Sequence, residues 1–378
     1  MGKMTSALFV LLLLALPARA GDLGSDVLFG GRGALEIPVR PGPASVTPVY
    51  ESGESAFLAE PFDAVLFQGV SPASGLRRGD PAGPRGTGRE EKDRGLRFEL
   101  RRRVRGSWEA WRPAELHLYP GGRFWGKVRF ETAAAGSVAL RAFSGPTGTG
   151  GTVEVYALES FDTSLTEGEP KPQEVPAAVP SPSVVPPAVH GRAEWGAKPP
   201  KEPPTAHEPV AFTQHHTDGN RTETLEDSLR EVRFIQEYHQ NGRGWNDIGY
   251  HYLVDAAGRV FQGRPEGVVG SHVANHNTGN VGISLLGSYH PPKSHEFTAA
   301  QKDAIRRIGV WLRDGHGVSP DSYKGHRDYN PQTDCPGDGV YPLMSAIRES
   351  IRASPPATDV PPSQLRRFLR EPLPPRFD

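Results

Sequence analysis

Cysteine is almost missing from this sequence. Its 378 residues include one, Cys335, which rules out an intrachain disulfide framework. An excess of either charge is missing too: 43 basic and 44 acidic residues leave a net charge of −1, which argues against a dedicated nucleic-acid binder or a polybasic membrane anchor. No apolar run reaches the ~20 residues that a bilayer span requires. Glycine and proline are plentiful, at 44 and 38 residues, more than a fifth of the chain. With 36% apolar residues the chain can still build a core, but not as one compact body. At roughly 150 residues per domain, two domains are expected.

Lys3, the apolar run from Leu8 to Leu16 and Ala18-Arg19-Ala20 have the pattern of a secretory signal over residues 1–20, cleaved after Ala20. The run is too short for a membrane anchor, and no cysteine follows that would carry a lipid. The product is therefore expected to be exported, to the periplasm and cell envelope or to the extracellular medium, with no transmembrane segment after signal removal. In an oxidising compartment an unpaired thiol is unusual, and ligation of a metal is one way to keep Cys335 from reacting.

Residues 28–162 read as strands broken by turns, with apolar segments at 62–67, 96–100, 125–130, 138–143 and 153–158. No amphipathic helix interrupts them, which predicts an all-β, sandwich-like domain. Residues 79–94 read as a loop, and Arg101-Arg102-Arg103 as a solvated strand face. Trp108, Trp111 and Trp125 are candidates for stacking on sugars, although a core or edge place suits them better. Residues 163–188 form a proline-rich linker and residues 353–378 a proline-rich tail.

Between them, residues 189–352 alternate strands and helices. A strand at 210–212 runs into Gln214-His215-His216-Thr217. Leu225, Leu229, Val232, Ile235 and Tyr238 form one stripe of a helix over 224–240. Segments 250–254 and 259–261 make a hairpin, and 281–286 a short buried strand. Thr298 and Gln301 form a capping box that opens a helix expected to stop at Gly315. The predicted class is α/β, a mixed central sheet flanked by helices, preceded by the all-β domain.

Twelve of the 13 histidines lie between His190 and His326, which assigns metal or acid–base chemistry to the second domain. His239, His290, His295 and His316 read as surface residues. Three places stand out: His215-His216, Gly325-His326-Arg327-Asp328, and Thr333-Asp334-Cys335-Pro336-Gly337. Adjacent strand residues point to opposite faces, so only one of His215 and His216 can reach a shared ion, and the spacing does not choose between them. His326 and Cys335 flank an irregular, proline-containing loop that can fold both toward one point. Imidazole and thiolate suit zinc, whose catalytic sites use three protein ligands and keep one position open.

Several longer motifs accompany these. They are Arg192-Ala193-Glu194-Trp195-Gly196-Ala197, Trp245-Asn246-Asp247-Ile248-Gly249-Tyr250-His251-Tyr252-Leu253-Val254 and Gly258-Arg259-Val260-Phe261-Gln262-Gly263-Arg264. Gly270-Ser271-His272-Val273-Ala274 and Asn280-Val281-Gly282-Ile283-Ser284 follow. In this order they resemble the zinc-dependent N-acetylmuramoyl-L-alanine amidases, which share a fold with phage amidase lysozymes and animal peptidoglycan recognition proteins. The resemblance covers about 190–345.

The resemblance implies zinc (Zn2+) held by His215, His326 and Cys335, with Tyr250 as a catalytic tyrosine. It gives Thr333 a catalytic place as well, at a position that is lysine in the phage enzymes and threonine in many animal ones. Some intracellular relatives use a glutamate near the position of Ser284 and an aspartate in place of Cys335, so this chain follows the tyrosine–cysteine branch. The implied activity is hydrolysis of the amide between N-acetylmuramic acid and L-alanine in peptidoglycan, a glycan strand with a peptide stem. His272 and Asn277, on the loop before the apolar strand, are candidate substrate-binding residues, and Trp195 is a packing residue. One alternative is a recognition module that binds peptidoglycan without cleaving it; such members commonly lose the cysteine, and here all three ligand positions are filled. Another makes the β domain a wall or polysaccharide adhesin with an accessory amidase.

Overall fold

Alternating apolar and polar residues build the N-terminal body out of strands alone, and the computed structural model describes it together with the second body over residues 24–30, 33–39, 45–71, 96–144, 151–164, 186–331 and 333–355. The expected signal sequence over 1–20, the expected loop at 79–94, most of the expected linker and nearly all of the expected tail lie outside the described residues. The strands are β1 (Gly24–Asp26), β2 (Leu35–Val39), β3 (Tyr50–Glu51), β4 (Leu58–Val70), β5 (Leu96–Val104), β6 (Ser107–Trp108), β7 (Arg112–Pro113), β8 (Glu115–Leu118), β9 (Arg123–Ser144) and β10 (Gly151–Phe161). They pair into one ten-stranded sheet whose main order is β1-β10-β4-β9-β5-β6.

The 22-residue β9 ties the sheet together, pairing with β4 and β8 through its first part and with β5 and β3 through its last. Phe62 and Phe67 of β4, Phe98 and Leu100 of β5, Val138 and Leu140 of β9 and Val155 of β10 share one core. The all-β body is thus present, with hydrogen bonding continuous through β9 rather than divided between two sheets. Arg102 departs from its expected solvated face. It is 1% exposed and donates to the carbonyls of Phe62 and Thr132 and to Glu109. Its neighbour Arg101 points the other way and lies over both Trp108 and Trp111, so these rings stack on a guanidinium. Trp125 is buried.

The second body contains β11 (Ala211–His216), α1 (Leu225–Glu237), β12 (Tyr252–Val254), β13 (Val260–Gln262), β14 (Asn280–Leu285), α2 (Ala299–His316), β15 (Tyr323–Gly325) and α3 (Met344–Ala353). Its five-stranded sheet has the order β13-β12-β14-β11-β15, parallel except for the β12–β13 hairpin. The mixed sheet flanked by helices is as expected. The Thr298–Gln301 capping box opens α2, but the helix passes Gly315, which packs against Trp311, and ends at Gly317 in a left-handed conformation (φ 69°). One apolar cluster joins α2 and α3 to one side of the sheet. Among the described residues, no helix is long and apolar enough to cross a membrane.

A further apolar cluster runs across both bodies. Leu66, Tyr119, Trp125 and Phe161 of the β body join Val232, Phe234, Ile235 and Tyr238 on and just after α1. Lys127 donates to the carbonyl of Gly242 at 2.6 Å, and Tyr238 donates to Glu159 at 2.7 Å. The proline-rich linker separates the two bodies along the chain but not in space.

Candidate metal centre

β11 delivers two histidines to opposite faces of the sheet. His216 turns toward the α2 side, where its Nδ1 accepts the Tyr289 N–H at 3.2 Å, and burial pushes its pKa down to about 3. His215 turns to the other face and is 1% exposed. Burial, followed by the neighbouring His326 and His272, holds its pKa well below the ordinary histidine range, so the ring is neutral with one nitrogen lone pair available.

His326 leaves β15, the parallel neighbour of β11, at a short 3₁₀ turn over His326–Asp328. Asp328 holds that turn by accepting the Gly325 N–H at 2.8 Å. Arg327 then brings back the loop that carries Cys335. Its backbone N–H donates to the Cys335 carbonyl at 3.1 Å, and its guanidinium reaches the Asp334 carbonyl and, at 3.0 Å, the Asp338 carboxylate. Gly337 allows the closest approach: at φ 99°, a Cβ there would meet the Tyr289 backbone at 2.6 Å. His290, which the sequence placed on the surface, also braces this loop through Asp334 and Asp338, at 3.1 and 3.0 Å.

Cys335 is buried. Its Sγ receives the His216 N–H at 3.4 Å and lies 3.5 Å from His215 Nδ1. One donor atom each from His215, His326 and Cys335 lie within 4.8 Å of one another. Of the two alternatives left open by strand alternation, His215 is the one in the cluster. The donors fit zinc by their chemistry, two neutral imidazoles and a thiol that a metal deprotonates. Beside them Ser284, in register with His215 on β14, keeps a buried Oγ with no hydrogen-bond partner among the described residues.

The Tyr250 ring lies 5.3 Å from that of His215, on the segment leading into β12. Thr333 sits in the cysteine loop, where its hydroxyl oxygen accepts the Cys335 N–H at 3.2 Å. His272 and Asn277, the candidate substrate-binding residues, both make contacts inside the protein. The His272 ring is 6% exposed and makes two hydrogen bonds inside the protein, to His215 and to the Asn280 carbonyl, at 3.1 and 3.0 Å. Asn277 Oδ1 is occupied by the backbone N–H groups of His272 and Val273, both at 2.8 Å. The His272 ring therefore has no nitrogen left for a substrate. His239, read as a surface residue, is buried and accepts the Gly249 N–H at 3.1 Å. The sequence assigns no role to Arg327, although the Gly325-His326-Arg327-Asp328 motif contains it.

A family model described as N-acetylmuramoyl-L-alanine amidase matches residues 205–338, which span all three donors. Peptidoglycan-recognition protein SC2 of Drosophila simulans is 33% identical over 156 residues, 40% of this chain and 80% of that protein. Human N-acetylmuramoyl-L-alanine amidase is 34% identical over 164 residues, 42% of this chain and 28% of that protein. The solved structure of Drosophila PGRP-LB is similar at 29% identity and a TM-score of 0.39, covering 42% of this chain and 93% of that one. With its motifs, its donor cluster and a relative matched over four-fifths of its length, the chain belongs to the family of peptidoglycan recognition proteins and N-acetylmuramoyl-L-alanine amidases.

Proposed function

We propose that this protein is an exported, zinc-dependent amidase that hydrolyses the bond between N-acetylmuramic acid and L-alanine in peptidoglycan. The convergence of His215, His326 and Cys335 within 4.8 Å carries the reading. A zinc ion held by His215, His326 and Cys335 would supply a Lewis acid for the amide carbonyl and would make water a better nucleophile near neutral pH. The protein's own groups do the rest. The buried His215 and Cys335 hold their places through hydrogen bonds, so little reorganisation accompanies reaction. The Tyr250 phenol, on the ring next to His215, orients the attacking water or donates to the oxygen that gains charge. Thr333 shapes the loop beneath Cys335, and its hydroxyl proton remains available as a second donor.

Digestion of purified sacculi followed by mass spectrometry tests this directly. The expected products are free stem peptides beginning with L-alanine and glycan strands without them, lost on chelation and regained with zinc. A zinc-loaded protein that holds sacculi and releases no peptide replaces the amidase with a recognition module.

A further inference from the structure

A backbone carbonyl can only accept hydrogen bonds, and that fact orders the protons around His215. His272 Nε2 lies 3.0 Å from the Asn280 carbonyl, so this nitrogen carries the ring proton. In a neutral ring Nδ1 is then an acceptor, and it lies 3.1 Å from His215 Nε2. His215 Nε2 must therefore be the donor, which leaves His215 Nδ1 bare. Nδ1 is the atom 3.5 Å from Cys335 Sγ. The Asn280 carbonyl thus sets, through His272, which nitrogen of His215 presents its lone pair to the donor cluster.

The His272 ring sits in a slot built for it. A Cβ on Gly282 would lie 2.7 Å from His272 Cδ2, and one on Gly270 2.6 Å from the same atom. Asn277 pins the His272 backbone from the other side. His251 closes the slot edge-on, with ring centroids 5.5 Å apart, and is itself fixed by the Val268 carbonyl and the Gly282 N–H at 2.7 and 2.9 Å. The residue is 6% exposed, so the slot closes it off from water.

We propose that His272 is a positioning residue for the metal centre, locking the tautomer and ring angle of His215, with Gly270, Gly282 and Asn277 as its seat. The inference rests on the reading of His215 as a zinc ligand. Outer partners of ligating histidines usually change metal affinity by about 10–100-fold when removed.

Long-range ¹H–¹⁵N spectra of the metal-free, full-length protein report the tautomer without metal or substrate. The wild type is expected to show His215 protonated at Nε2. His272→Ala should mix the His215 tautomers and weaken zinc binding about 10–100-fold in competition with a chromophoric chelator. His272→Gln, whose amide accepts from His215 and donates to the Asn280 carbonyl, should recover most of that loss. A wild-type His215 protonated at Nδ1 overturns the proposal, and this result needs no variant to fold. So does a folded His272→Ala protein that keeps wild-type zinc affinity and loses only its hold on sacculi. If the Nε2 tautomer is found and the wild type binds no zinc, the metal reading has failed, separately from the hydrogen-bond chain.

Discussion

Arg123 of the β body and Glu231 of α1 form a two-pronged ion pair, Nε to Oε2 at 3.0 Å and Nη2 to Oε1 at 2.8 Å, with both residues under 5% exposed. The rest of the guanidinium is also occupied, by the Gly69 carbonyl, Gln68 and Tyr156, while its flat face lies 3.8 Å from the Phe234 ring centroid. Every donor is satisfied, so this contact is a fixed junction between the two bodies rather than a passing surface touch.

Breaking the pair from one side should cost far more than replacing both partners. Arg123→Met leaves Glu231 buried without its cation, and a loss of about 3–5 kcal/mol in unfolding free energy is expected. Arg123→Met with Glu231→Leu should recover much of it, because no isolated charge remains. Urea denaturation of the single and double variants measures the difference. Equal losses in both would show that the pair is not desolvated in solution.

Phe234 offers a test in which one substitution has opposite effects in two contexts. Its ring meets Tyr119 edge-on at 5.1 Å across the junction. In the whole protein Phe234→Ser should cost about 3 kcal/mol, in the range for removing a buried aromatic ring. In a fragment of residues 186–355 the same ring faces water as part of an apolar patch, which favours self-association. There Phe234→Ser should raise solubility and reduce dye binding without lowering the melting temperature. A loss of stability in both contexts would place Phe234 in the core of the second body instead.

The junction was the least legible feature of the sequence. Of the helical stripe Leu225, Leu229, Val232, Ile235 and Tyr238, the last three are buried, while Leu225 at the start of α1 is exposed. Glu231 precedes Ile235 and Tyr238 by four and seven residues and so shares their face, with Phe234 at its edge, but a Glu and a Phe there name no partner until a second surface covers them. Arg123 lies 108 residues from Glu231, and no local pattern joins them. The donor cluster was far easier to read, because His326 and Cys335 share one short loop and the motif order marks His215. His272 shows where that legibility ends. The sequence placed it on a loop near the site, but only the fold brings it against a residue 57 positions away and closes the slot around it. The end of α2 shows a smaller limit, since Gly315 and Gly317 are equally good stops until Trp311 is seen packing against the first.

Asp218 ties stability to pH. It sits half-buried just beyond β11, and burial pushes its carboxyl up to about 6 despite a hydrogen bond from Ser288. A carboxyl whose folded pKa is raised favours the fold in its neutral form. Its contribution is therefore fully present below about pH 4 and is lost as pH rises through 6. At pH 7 the ionised group weakens the fold, by about 1–2 kcal/mol after allowance for its partial exposure. Asp218→Asn should recover that amount, and asparagine tolerates the φ of 47° found there. Urea midpoints of the metal-free protein between pH 4.5 and 7.5 should diverge in favour of the variant. Parallel curves would mean that Asp218 titrates as an exposed carboxyl.

Cys335→Ser separates cleavage from binding. Serine is nearly the same size, so the Arg327 bonds to the Cys335 and Asp334 carbonyls should keep the loop on its course and the domain folded. The hydroxyl stays protonated near neutral pH, whereas a thiol at a metal is deprotonated outright, so one of three donors is effectively lost. Zinc affinity should fall by more than the roughly 10–100-fold typical of an outer partner, and stem-peptide release should fall with it. Retention on sacculi should change little, because the cluster accounts for a small part of the surface a polymeric substrate covers. The two quantities are measured on the same preparation, peptide release by mass spectrometry and retention by co-sedimentation. A variant that still releases peptides at the wild-type rate would remove Cys335 from the chemistry. One that falls off sacculi while remaining folded would mean that the donor cluster anchors the substrate, rather than only acting on it.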